Sequence, residues 1–147
     1  MNPPRQAYTA GQAAKAAGIA YHQLNNWAVL GIVVPSIGEG RGYAGVRAYS
    51  LADVVALTVA ARMKASGFAL SKLQGLLSEI QKWNGSAKTY FVGDEHGNVS
   101  AYEEGALCLK DRKGLTWFVN IFDVAEEVKL RLASQPRPAR GKAIRSA

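Results

Sequence analysis

The stretch that most limits what this chain can become is Thr9 to Trp27, TAGQAAKAAGIAYHQLNNW. Thr9 is placed to accept an orphan amide at a helix start, and Gln12 sits three residues on, where a reciprocal cap needs it. Ala13, Ala14, Ala16 and Ala17 favour helix. Gly18 can take the left-handed conformation that ends one. Ile19 restores an apolar anchor, and a second helix follows, with Leu24 and Trp27 on one face and Tyr21, His22, Asn25 and Asn26 on the other. Two short helices around a glycine turn, with a polar and aromatic outer face, make a helix-turn-helix. On this stretch alone an ordinary pair of core helices fits as well, and the elements that follow decide between them.

Gly31 ends the second helix, Ile32 to Val34 reads as a short β-branched strand, and Pro35 closes it. Four glycines between positions 38 and 45 form a turn, and Val46 to Tyr49 returns as a strand. A hairpin behind a helix-turn-helix is a wing, here carrying Arg41, Tyr43 and Arg47. Ser50 caps the next helix with Asp53 as its partner, and Leu51, Val54, Val55, Leu57, Thr58 and Ala61 make that helix apolar around much of its girth, hence central. It ends near Ser66-Gly67. Leu70, Leu73, Leu76, Leu77 and Ile80 predict a further helix from Phe68 to Trp83, with Ser71 and Lys72 at its start, where backbone amides and a lysine can hold a phosphate.

Asn84-Gly85-Ser86 breaks the pattern. Beyond it, Thr89 to Val92 and Val99 to Tyr102 read as strands around the turn GDEHGN, and Ala106 to Leu109 as a third short element. Leu115 to Phe122 reads as a buried strand, and Asp123 caps a last helix from Val124 to Leu132. So small a segment has too little core to stand alone. It is expected to pack on a partner, a second copy of itself, with packing back on the first unit as the alternative. The expected fold class is α+β: a flexible lead-in (1–7), a winged helix-turn-helix (8–84), a small β-rich dimerisation or partner-binding segment (86–133), and a disordered basic tail (134–147).

The net charge is +7, and its distribution matters more than its size. Residues 1–84 hold eight Lys and Arg against three Asp and Glu; residues 85–147 hold ten against eight. The first half therefore has little acid to repel a phosphate backbone. No apolar run is long enough for a membrane span, and the N-terminus has no secretory pattern. The single cysteine, Cys108, excludes an internal disulfide and a multi-cysteine metal site, and a reducing cytoplasm is the expected compartment. His22 and His96 are the only histidines, and no phosphate loop, nucleophile elbow or metal-ligand spacing occurs. The chain is expected to be no enzyme and to need no cofactor or metal.

The ordered string YTAGQAAKAAGI, Leu24 with Trp27, LGIVVPS, GVRAY followed by SLAD, and SGFALSKL resembles the MerR family of winged-helix regulators over about Tyr8 to Leu77. Val46 replaces the usual first tyrosine of the wing strand, Asn25 the usual arginine of the second helix, and Ala28 its usual acid. The resemblance implies a homodimer that binds double-stranded DNA at a two-fold-related operator, with His22 and Asn26 on the recognition helix and Arg47 on the wing. Gln23, Asn25 and Asn26 have the amides for bidentate bonds to adenine, and Tyr21 and His22 can meet a base edge or a phosphate. Arg41, Tyr43, Arg47 and Lys72 complete the candidate set on the backbone side. The expected function is sequence-specific transcriptional regulation. The alternatives are an antitoxin-like autorepressor, holding a second protein through residues 86–133, and an excisionase-like DNA-bending factor.

Overall fold

A computed structural model describes residues 7–39, 47–83, 88–94, 96, 98–103 and 116–135. The start of the first helix is set by reciprocal capping. The Thr9 amide donates to Oε1 of Gln12 at 2.9 Å, and the Gln12 amide donates to Oγ1 of Thr9 at 3.1 Å. Helix α1 runs Ala10–Ala17 and α2 runs Tyr21–Val29. A two-residue strand, β1 (Tyr8–Thr9), precedes them; the sequence patterns gave no sign of it.

Both helices, and α3 (Leu51–Ala65), end on a left-handed glycine with the same pair of closing bonds. At the end of α2 the Gly31 amide donates to the Ala28 carbonyl and the Ile32 amide to that of Trp27. This overturns the expected strand at Ile32 to Val34. The amides of Ile32 and Val33 both turn back to Trp27, and the Val33 side chain is buried in the core. The strand comes later, as β2 (Gly38–Glu39), which pairs with β3 (Arg47–Tyr49). The first sheet is antiparallel in the order β1-β3-β2.

Ser50 and Asp53 cap α3 reciprocally, as expected, and α3 is buried around most of its circumference. The expected helix from Phe68 to Trp83 is divided. Phe68 donates its amide to the Met63 carbonyl to close α3, so it cannot open a new helix. A single 3-10 turn (Leu70–Lys72) follows, then α4 (Gln74–Lys82), which buries Leu76, Leu77 and Ile80.

The second sheet has the antiparallel order β5-β4-β6, with β4 Lys88–Asp94, β5 Val99–Glu103 and β6 Thr116–Asn120. Asp94 holds the turn between β4 and β5 by accepting from the amides of His96 and Asn98. The Asn98 bonds hold the Asp94 carboxyl below the usual carboxylate range. The last strand is shorter and less buried than expected. Phe118 is 54% exposed, and Ile121 and Phe122 already belong to α5 (Ile121–Ala133). The cap is Asn120 rather than Asp123: its side-chain oxygen accepts from the Asp123 amide. The expected element at Ala106 to Leu109, Cys108, and the tail beyond Gln135 lie outside the described residues.

Helix α5 packs back on the first unit. Ile121, Val124, Ala125, Val128 and Leu132 enter the same core as α1, α3 and α4. Glu127 joins the helices at the surface, reaching Arg62 of α3 at 2.6 Å and Arg131 at 2.8 Å. Arg131 also donates to the Ala16 carbonyl of α1. The Arg62 guanidinium holds the Glu127 carboxyl below its usual value. Among the described residues no helix is long and apolar enough to cross a membrane.

Candidate nucleic-acid interface

The outer face of α2 follows from its inner one. Burying Leu24 and Trp27 leaves Tyr21, His22, Asn26 and Val29 exposed, with Gln23 and Asn25 half-buried. His22, Asn25, Asn26 and Val29 recur at the spacing of one helix face. No acidic residue occurs on α2. The side-chain amides of Gln23 and Asn26 have no partner among the described residues, and that of Asn26 presents both its donor and its acceptor to solvent.

Arg47 is fixed beside this face. It opens β3, whose next residues, Ala48 and Tyr49, are fully buried, and its guanidinium donates to Oδ1 of Asn25. The helix and the return strand of the hairpin are thereby joined through their side chains. Lys72 is carried by a different element, the exposed 3-10 turn that packs on α3 and α4. Arg41 and Tyr43 lie outside the described residues.

Behind the face lies a polar hub that the sequence patterns gave only in part. Asp53 is buried, and its Oδ2 accepts from the Ser36 amide, the Ser36 hydroxyl and the Ser50 amide at 2.8 to 2.9 Å. Its Oδ1 accepts from Nε2 of Gln81 at 2.9 Å, and that same nitrogen also donates to the Val34 carbonyl. One carboxylate therefore ties the start of α3, the strap leading to the hairpin, and α4. The capping pair Ser50 and Asp53 was legible; Ser36 and Gln81 were not. Tyr49 lies fully buried beneath, and its hydroxyl has no partner among the described residues. Burial pushes that phenol up to about 12; Asp53 and Tyr21 act in the same direction and Arg47 opposes them.

The sequence patterns also passed over Val29, 77% exposed on the same side as His22 and Asn26. Its spacing from them, seven and three residues, is the signal that marks it. The assembled surface has neutral amides, an imidazole, an exposed apolar side chain and a fixed cation, and α2 itself carries no acid. That chemistry suits the groove of a polyanion, where amides and apolar groups meet base edges and cations meet phosphates. An open concavity of about 320 Å³ between α4 and the second sheet, lined by Gly75, Glu79, Phe91, Asn98, Val99 and Ala101, offers one carboxylate and one amide and no such convergence. Among the described residues no group of three His, Cys, Asp or Glu could hold a metal ion.

Residues 8–80 match the model of the MerR HTH family of regulatory proteins. HTH-type transcriptional regulators from Mycobacterium bovis and from two strains of Mycobacterium tuberculosis are each 32% identical over 75 residues. The match takes in 51% of this chain and 33% of each relative, so the chain spans about a third of the length of the curated relatives it matches.

Proposed function

Residues 8–80 belong to the MerR HTH family of regulatory proteins, and we propose that the chain regulates transcription by binding double-stranded DNA through α2 and the hairpin that ends in Arg47. The observation that carries this reading is the acid-free outer face of α2 with Arg47 held against it. Helix α2 enters the major groove. The Asn26 amide, exposed and unengaged, pairs with the N6 and N7 edge of an adenine. Tyr21, His22 and Gln23 meet neighbouring base edges or phosphates, and Val29 is placed for a thymine methyl. Arg47 and Lys72, with Arg41 and Tyr43 of the hairpin, hold the phosphate backbone and fix the register.

The reading includes a homodimer on two-fold-related half-sites. The surface offered for it is in the second half of the chain, where Phe118 of β6 is 54% exposed and Phe122, at the start of α5, 52% exposed.

The test is selection of bound duplexes from a randomised pool by the purified protein at low salt. The expected result is an enriched motif in two inverted halves, spaced by one helical turn or a multiple of it. Recovery of the input distribution, with no enriched sequence, would sink the sequence-specific reading.

A further inference from the structure

Asn25 stands on the same helix face as Asn26, yet its surroundings differ. Asn26 is exposed and its side-chain amide is unengaged, whereas Asn25 is half-buried and its oxygen accepts from the Arg47 guanidinium. Reading an adenine needs both ends of an asparagine amide at once, the oxygen to accept from N6 and the nitrogen to donate to N7. In Asn25 the oxygen is already drawn onto a cation 22 positions away in the chain. An adenine amino group would have to share that oxygen with a guanidinium, from a half-buried position.

From this contact we infer that Asn25 is a positioning residue: it holds Arg47 against α2, so that the recognition helix and this cation of β3 meet DNA together, and it reads no base. The inference rests on the DNA-binding reading above. Arg47 is anchored twice. Its backbone is fixed by the burial of Ala48 and Tyr49, and its guanidinium by Asn25. A free arginine side chain loses rotamer entropy when it reaches a phosphate. An arginine already held in place loses less, and the difference appears as affinity. That gain is independent of sequence, because a phosphate contact carries no base identity.

The experiment is a double-mutant cycle on the full chain with Asn25→Ala, Arg47→Ala and the pair. The probes are a duplex selected by the wild-type protein from a randomised pool, its single-base variants, and a random-sequence duplex. Asn25→Ala is expected to weaken all of them by one common factor of about threefold to tenfold, with the base preferences unchanged. The double variant is expected to bind no more weakly than Arg47→Ala alone. Asn25→Asp keeps the acceptor and lacks the amide donor, and is expected to keep the wild-type pattern of base preferences. Loss of preference at one base pair in Asn25→Ala or Asn25→Asp overturns the inference, and so do single losses that multiply in the double variant. If the wild-type chain selects no duplex at all, the DNA-binding reading falls and this inference falls with it. Independent effects measured on a selected duplex remove this inference alone.

Discussion

Gly93 and Trp117 face each other across β4 and β6, and the indole of Trp117 fills the space above the Gly93 backbone, where an added Cβ would lie 2.0 Å from Cζ2. Glycine is required here by a ring, not by a turn. Gly93→Ala is expected to destabilise the protein by about 1–3 kcal/mol, as overpacking does when a rigid neighbour must move. Urea unfolding followed by circular dichroism measures this. In a Trp117→Val background the penalty should disappear, and an equal cost in both backgrounds would show that the indole is not its cause.

This pair also shows why part of the fold was legible in the sequence and part was not. As caps, Thr9, Gln12, Gly18, Ser50 and Asp53 act within a few residues of themselves, and the structure has each where the pattern put it. The side of α2 that faces out follows equally from the spacing of Leu24 and Trp27. Gly93 read as the start of a turn because the ring that demands it lies 24 positions on, in another strand. Ile32 to Val34 read as a strand for a similar reason: β-branched residues favour strands, but these close α2 and fill the core instead. In the candidate interface the residue types were legible, while the partner of Asn25 was not, since nothing local joins positions 25 and 47.

Asp53 carries a prediction of its own. Its carboxylate accepts hydrogen bonds from Ser36, Ser50 and Gln81 in a buried site. Asp53→Ala leaves the amides of Ser36 and Ser50 without their acceptor and Gln81 with the Val34 carbonyl alone, and the expected loss is about 3 kcal/mol. Asp53→Asn keeps one acceptor oxygen but turns an NH2 toward donors, so it should lose an intermediate amount. Gln81→Ala removes a single arm and should cost about 1 kcal/mol. Thermal midpoints give the ranking; a Gln81→Ala loss as large as that of Asp53→Ala would contradict the hub.

The two kinds of DNA contact separate experimentally. Asn26→Ala should relax preference at one base pair, by roughly 1–3 kcal/mol of discrimination. Arg47→Ala should weaken every duplex alike and reduce the salt slope by about 1. Titrations over a range of salt, on a selected duplex and its single-base variants, measure both. Equal losses for both variants on specific and random DNA would remove the base-reading role from Asn26.

Glu127 clamps α5 to α3, with the partners on either side about half exposed. Exposure and screening limit such a cluster, so Glu127→Gln is expected to cost no more than about 1 kcal/mol at neutral pH. The folded-state value of this carboxyl is lowered by Arg62, so its contribution is fully present above the ordinary glutamate value of 4.5 and is lost as pH falls through the lower, folded value. The difference between wild type and Glu127→Gln should therefore shrink on acidification, and also in high salt. Unfolding midpoints at neutral and acid pH check the sign, and a difference that widened toward acid would rule the clamp out.

Tyr49 makes the opposite prediction at the alkaline end. Its buried phenol is pushed up to about 12, against 10.0 for a free tyrosine. Below pH 10 neither state ionises, and the group's pH-linked contribution is fully present. Between about 10 and about 12 the unfolded chain loses the proton while the folded one keeps it, so stability falls with rising pH, by up to about 3 kcal/mol from this group. Tyr49→Phe should remove that part of the alkaline profile. It should also raise stability at neutral pH by about 1 kcal/mol, because it deletes a buried hydroxyl that has no partner among the described residues. Urea unfolding of the two proteins from pH 7 to pH 11 tests both effects at once. A Tyr49→Phe protein less stable than wild type at pH 7, with the same alkaline slope, would show that the hydroxyl is hydrogen-bonded after all.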